Sequence, residues 1–495
     1  METLKKDDSY SHILKYTGVF GGVQGLNILI SVVRNKFTAL FIGAGGLGLL
    51  SLFNSTINMI VAACNFGIPT SGVQELSDKY SASSQKISDS VMLIRSWSLI
   101  TALLGAVVCV VIGPLLDLWS FAWGNHTLHF ILLSPAVAFT IVTGGELAIL
   151  KATRQLRALA VSSFFTVVSS LLISVPIYYV WSYRGIVPVL VGLALVQMML
   201  TLHYSNRYYP YRVKMSAKFL RRGVHVIRLG MAFVIAGLLN TGAEFFVRTF
   251  INNRGDLEHV GYFNAGWTLA IVYAGLIFTA MESDYFPRLS AIKDNSRDMS
   301  QCVSKQMEMN VLMVGPILTI MLFCLPVLIP LLYDSSFLVM LPLTQFAMLS
   351  MLFKAMYLPI EYIPLAKGRS RLFLCQEAFA VFLLVSLEMW GYASMGLVGI
   401  GAGISLAYLL ETVAVLVFSR IYFSYRASCN VWLFAGIQVF FVGVSLFAVT
   451  SGLSTWAYCI LAVVLSLLNV GCTLYLLKTK TEVFDMLAAK MHGKR

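Results

Sequence analysis

The chain is divided into apolar stretches of about twenty residues in which polar and apolar positions do not alternate. Wound as an α-helix, a stretch of that length matches the hydrocarbon thickness of a bilayer, whereas a two-residue period would indicate a barrel strand. In lipid every backbone N–H and C=O must pair internally, so only helices and closed barrels span. Composition agrees: 58% of the 495 residues are hydrophobic and 12% are charged, against roughly 25% charged in a soluble domain. The expected fold is an all-α integral membrane protein. Fourteen spans are predicted, at about 17–42, 47–72, 91–115, 128–150, 158–180, 186–204, 223–250, 262–284, 306–330, 341–365, 372–391, 397–418, 431–450 and 455–477.

The basic residues then fall on one side. The N-terminus, 73–90, 151–157, 205–222, 285–305, 366–371, 419–430 and the C-terminal tail carry 28 Lys and Arg, and the opposite connections carry two, Arg184 and Arg254. This asymmetry predicts both termini in the cytoplasm and an even number of spans. The formal net charge of +13 is therefore read as orienting loop charge, with no nucleic-acid partner expected. The first sixteen residues are polar and run straight into a full-length span, so no cleavable signal is expected.

Several chemistries are disfavoured. The eight cysteines are scattered without a CxxC, no HExxH occurs, and no GxxxxGK[ST] is present. No loop exceeds about twenty residues, which leaves no room for an ATP-hydrolysing domain. No catalytic residue, metal site or cofactor is expected, and any transport would be driven by a gradient.

An internal repeat organises the chain. Residues 47–77 align without a gap with 260–290 at an offset of 213, pairing Gly48 with Gly261, Leu76 with Leu289 and Ser77 with Ser290. Each copy follows a span with an arginine near its outer half, Arg34 or Arg248, and later reaches a glutamate before a basic loop, Glu146 or Glu361. Six spans separate the copies, so the arrangement is a parallel one of two six-helix lobes. The predicted domains are an N-terminal lobe over 1–204, a basic linker over 205–222, a C-terminal lobe over 223–418, two additional helices over 431–477 and a basic tail over 478–495. The tail is read as either a surface amphipathic helix or a flexible segment.

Polar groups inside the spans cost several kcal/mol unless they meet a partner or a wet cavity. Gln24, Asn27, Ser31 and Arg34 recur at helical spacing in the first span, Asn54 and Asn58 in the second, Asn240, Glu244 and Arg248 in the seventh, and Asn264 and Thr268 in the eighth. These four spans are the corresponding pairs of the two lobes, and one shared substrate cavity accounts for all the stripes. Helix–helix hydrogen bonding is the competing reading. Glu146, Lys354 and Glu361 are candidate gating or ion-coupling groups. Arg95, Arg228, Glu282 and Asp284 fall near span ends and are expected at the interface.

The segment 34–77, RNKFTALFIGAGGLGLLSLFNSTINMIVAACNFGIPTSGVQELS, resembles the N-terminal signature of the bacterial polysaccharide (O-antigen, Wzx-type) flippases. There a first helix ends in a glycine-rich turn, IGAGGLGLLS here, and a second closes with a small-residue motif, FGIP at 66–69 here. Ala44 stands where that family often has proline. The resemblance implies membership of the multidrug/oligosaccharidyl-lipid/polysaccharide (MOP) exporter superfamily. It implies an undecaprenyl-pyrophosphate-linked oligosaccharide as cargo, moved from the cytoplasmic to the periplasmic leaflet of the bacterial inner membrane. Arg34 and Arg248 would then face its pyrophosphate or an acidic sugar. Membrane lipids and the polysaccharide polymerase and chain-length machinery are the implied partners. A lipid II flippase, a cation-coupled multidrug antiporter and a membrane polymerase or acyltransferase are the competing readings.

Overall fold

The computed structural model describes residues 3–79, 84–120, 126–221, 223–275, 278, 285, 286, 288–290, 292 and 296–480, with the side chains of 1–24 and 479–495 outside that description. The basic tail beyond 480 and most of the inner half of the eighth span therefore fall outside it, as does the side chain of Gln24. The chain divides into two compact units, one covering Met1–Gly261 with Leu332–Asp334 and the other Tyr262–Leu331 with Ser335–Arg495.

The first unit holds α1 (Thr3–Cys64), α2 (Ile68–Lys79), α3 (Ser84–Ser120), α4 (Thr127–Leu132), α5 (Ser134–Ala152), α6 (Leu156–Trp181), α7 (Ile186–Tyr208), α8 (Ala217–Arg221), α9 (Val224–Arg254) and the start of α10 (Leu257–Trp267). Ser182–Gly185 form a 3-10 turn joining α6 to α7. The second unit holds the rest of α10, a π-helical turn over Thr268–Tyr273, α11 (Ser296–Leu332), a 3-10 turn over Ser335–Met340, α12 (Leu341–Ala366), α13 (Ser370–Phe423), α14 (Cys429–Thr450) and α15 (Thr455–Lys480).

Among the described residues ten helical stretches are long and apolar enough to cross a membrane. Three of them, Gly25–Cys64, Arg157–Tyr208 and Ser370–Phe423, run to 40, 52 and 54 residues, twice what one crossing needs. Each is broken near its middle: at Gly43 (φ 62°), at the 3-10 turn, and at Gly396 (φ 62°). Counting these as pairs, and adding α10 with its π-helical continuation, recovers the fourteen spans. The protein is a multi-pass α-helical membrane protein.

The repeat extends well beyond the segment where the sequence revealed it. Helices α3 and α11 are both 37 residues long, and α5 ends at Ala152 where α12 ends at Ala366. The turns that follow match residue for residue. Arg154 (φ 55°) and Gly368 (φ 69°) are both left-handed, and the next residues, Gln155 (φ −81°, ψ 59°) and Arg369 (φ −91°, ψ 59°), cap α6 and α13. A non-glycine residue in that conformation costs about 1–2 kcal/mol, so Arg154 is held there by the fold.

Close approaches are made by glycine. Within the first unit, a Cβ on Gly67 would overlap the backbone of Gly230, and Gly237 lies beside Ala62. Gly67 also needs its φ of +70°, in the turn that separates α1 from α2 within the FGIP motif. In the second unit α12 packs on the later half of α13 in a constant parallel register: Thr412 Oγ1 donates to the carbonyl of Phe353 (3.3 Å), and Gly401 abuts Leu343. Pro359 cannot donate to the carbonyl of Ala355, and Asn310 Nδ2 takes that carbonyl instead at 3.4 Å. Polar contacts tie α15 to α11 and α14 to α15. Asn469 Nδ2 donates to Thr319 Oγ1 (2.8 Å), Gln438 Nε2 to Thr473 Oγ1 (3.0 Å) and Tyr458 Oη to the carbonyl of Phe323 (2.7 Å).

Candidate functional site

In the first unit the later half of α1 and α9 run antiparallel, set by Gly67 against Gly230, Ala62 beside Gly237, and Ser51 beside Arg248. Continuing that register brings Asn58 level with Asn240 and Asn54 level with Glu244. All four of these polar residues are exposed in the middle of apolar helices. Arg248 is buried at their edge. Its Nε donates to Ser51 Oγ at 2.7 Å, and an Nη donates to the Glu244 carboxylate at 3.0 Å and to the Glu244 carbonyl at 3.2 Å. The (i, i+4) ion pair legible in the sequence therefore forms, and the fold adds the serine of the neighbouring helix.

The earlier half of α1 faces α6 in parallel register. Asn27 Nδ2 donates to Ser163 Oγ at 3.0 Å, and two turns further Arg34 donates to Ser170 Oγ at 3.3 Å. Arg34 and Ser31 are half-buried, and Asn27 is buried. Arg34 also donates to the side chain of Asn35, at 3.3 Å. Asn27 and Arg34 bond between helices, whereas Asn54, Asn58, Asn240 and Glu244 are exposed, with Asn240 Nδ2 donating to the carbonyl of Ala236 and Glu244 accepting from Arg248.

Glu146 has a defined partner that the sequence did not reveal. Arg95 of α3 pairs with it through both carboxylate oxygens, at 2.8 and 3.0 Å, with side-chain exposures of 1% and 2%. The same guanidinium donates to the carbonyls of Tyr209 and Pro210 and to Ser205 Oγ, at 2.9–3.0 Å, so all five of its N–H groups are used. Arg95 is thus buried within the protein, because the chain leaving α7 folds over it. Its neighbours continue the attachment: Ser96 Oγ accepts from the Lys214 amide (3.0 Å), and Trp97 Nε1 donates to the carbonyl of Leu220 (3.2 Å). The basic linker is fastened to α3 by three consecutive residues. Two opposite charges at the same membrane end of different apolar spans were the available signal.

In the second unit Asn264 and Thr268 are half-buried, with Thr268 Oγ1 donating to the carbonyl of Asn264 at 2.8 Å, at the point where α10 becomes π-helical. Lys354 and Glu361 share α12 with their predicted spacing, and Lys354 Nζ lies 5.7 Å above the ring of Phe278. The fold adds two carboxylates from α13. Glu377, Glu411 and Lys354 all lie in the electrostatic neighbourhood of the Glu361 carboxyl. Among the described residues no three His, Cys, Asp or Glu lie close enough to hold a metal ion. Gln376, 9% exposed, lines a cavity of about 230 Å³ together with Glu411. Glu377, Glu411 and Gln376 were passed over in the sequence, although polar residues inside apolar spans were the signal that marked Glu361.

Comparisons with known proteins bear on this arrangement. Residues 29–342, more than half of the chain, match the family described as polysaccharide biosynthesis protein. No curated protein matches in sequence. Among solved structures, the lipid II flippase MurJ in an inward closed conformation is similar with a TM-score of 0.70 and 11% identity, over 91% of this chain and 97% of that one. An inward-facing multidrug resistance MATE family transporter of the MOP superfamily gives 0.65 and 14%, over 80% and 94%. A MOP superfamily transporter from Pyrococcus furiosus, described as having a binding pocket of reversed polarity, gives 0.54 and 14%, over 82% and 93%. At these identities the likeness concerns the fold.

Proposed function

The chain belongs to the polysaccharide biosynthesis protein family, and from that premise we propose that it flips an undecaprenyl-pyrophosphate-linked oligosaccharide, the repeat unit of a surface polysaccharide, from the cytoplasmic to the periplasmic leaflet of the bacterial inner membrane. One observation carries the reading. The paired stripes of α1 and α9 expose Asn54, Asn58, Asn240 and Glu244 at mid-span with Arg248 beside them, a surface too polar to face acyl chains. Such a surface suits a hydrated sugar head group, while the lipid tail stays in the bilayer. Arg34 and Arg248 are the cations for the pyrophosphate, since a guanidinium binds phosphate bidentately and a low dielectric strengthens the pair. Asn264 and Thr268 of the second unit are further candidate contacts for the head group.

In this reading Glu361, with Glu377, Glu411 and Lys354, carries the coupling proton, and the Arg95–Glu146 pair holds the cytoplasmic end together. Both termini lie in the cytoplasm, as the loop charge requires, and the polymerase and chain-length machinery act on the delivered unit. The fold likeness to a lipid II flippase over 91% of the chain favours a second reading, in which the head group is a peptidoglycan precursor.

The test is complementation of two bacterial strains, one lacking its polysaccharide flippase and one depleted of its lipid II flippase. Restored surface polysaccharide in the first strain supports the proposal, and rescue of the second alone transfers the protein to peptidoglycan. Arg34→Ala is expected to insert at the normal level and to abolish restoration. Normal polysaccharide from that variant would remove the cationic path.

A further inference from the structure

One cavity of the second unit lies apart from the residues used above. It measures about 950 Å³ and is walled by the first four turns of α11, the 424–430 connection, the start of α14 and the end of α15. That volume is roughly thirty waters' worth.

Its chemistry changes along its depth. At the rim stand Arg288, Arg297, Lys305 and Arg426, all exposed. Arg288 donates to Gln306 Oε1 at 3.1 Å, which fixes it at the wall. The lining carboxylate, Glu308, accepts from Ser428 Oγ at 2.7 Å, so one of its oxygens is already engaged. Further in, the walls are Met309, Leu312, Phe434 and Leu477, and Leu312 and Phe434 are each 2% exposed. On α11 the residues Gln301, Lys305, Glu308 and Leu312 share one helical face, so the passage from cationic to apolar follows a single helix.

Among the described lining residues, four cations against one engaged carboxylate, above an apolar recess, match a ligand with an anionic head and a hydrocarbon tail. Basic pockets between membrane helices at the positive side bind lipid phosphates in this way. We propose that this cavity is a binding site for the phosphate of an anionic lipid head group, with the rim cations on the phosphate and the chain laid along Phe434 and Leu477. The shared chemistry has two sources, a bulk anionic phospholipid or the diphosphate of a polyprenyl carrier awaiting transport. The site does not depend on the cargo proposed above, because occupancy is read on purified protein without flipping.

Native mass spectrometry of the full chain tests it, with phosphatidylglycerol, phosphatidylcholine and undecaprenyl diphosphate titrated separately. Anionic lipid is expected to bind in preference to phosphatidylcholine. Lys305→Gln and Arg426→Gln should each weaken it about fivefold, and the double variant more than tenfold, whereas Arg184→Gln at the opposite membrane end should leave it unchanged. All three positions are exposed, and if the double variant does not elute as a single species the single variants are read alone. Preference for undecaprenyl diphosphate assigns the site to the carrier, and preference for phosphatidylglycerol assigns it to bulk lipid. Equal binding of phosphatidylcholine, or unchanged retention in the Lys305 and Arg426 variants, overturns the proposal.

Discussion

Gly48 and Gly261 occupy each other's space reciprocally: a Cβ on Gly48 would overlap the carbonyl of Leu257, and a Cβ on Gly261 would overlap the carbonyl of Ala44. Residues 44 and 257 stand at the same offset of 213 as 48 and 261, so within the first unit the two contacts join positions that the sequence alignment pairs. Gly48→Ala or Gly261→Ala should destabilise the protein by about 1–3 kcal/mol, because the obstacle is backbone and cannot rotate away. Gly192→Ala, where the site is open, is the control. Thermal unfolding in detergent measures the difference.

The Arg95–Glu146 pair is buried and fully hydrogen-bonded. Removing one partner strands the other charge, at a cost of about 3–5 kcal/mol. Glu146→Gln is expected to lower the melting temperature and to expose the 209–221 linker to protease. An Arg95→Met, Glu146→Leu double variant should recover most of the loss. Additive losses in the double-variant cycle would show that the pair is not coupled.

Arg248→Lys keeps the charge but cannot serve Ser51 and Glu244 together. Transport should fall at least tenfold with protein level maintained. Ser51→Ala should give a smaller defect of the same kind, since it removes one of the guanidinium's contacts and leaves the ion pair. Polysaccharide output per inserted protein is the measurement.

Glu361→Gln keeps the shape of the carboxyl and removes its titration. Proteoliposomes carrying this variant should lose the acceleration that an imposed proton gradient gives the wild type, while binding of lipid-linked substrate is retained. Retention of full gradient dependence would place the coupling proton elsewhere.

Asn469→Leu deletes the bond to Thr319 and leaves that hydroxyl buried. Interhelical hydrogen bonds in membranes are worth about 0.6–1.7 kcal/mol. The variant should loosen α14 and α15 from α11, read as faster protease cleavage in the 451–454 connection, with the remaining spans intact.

Much of this protein is written locally. Apolar length dictates helices because unpaired backbone cannot sit in lipid, and the Lys and Arg of the connections fall in one alternating set. Periodicity placed Asn54 with Asn58 and Asn240 with Glu244 and Arg248, since a shared face depends only on the helical repeat. The tertiary structure decided which helix each face meets. Arg95 chose Glu146, 51 residues away, Arg248 chose Ser51, and Glu361 found Glu377, because partners are selected by packing geometry between segments remote in the chain. The glycines mark the boundary between the two kinds of information. The sequence offered Gly48 and Gly261 as an aligned pair, but their alignment became a contact only when two backbones crossed where no side chain fits.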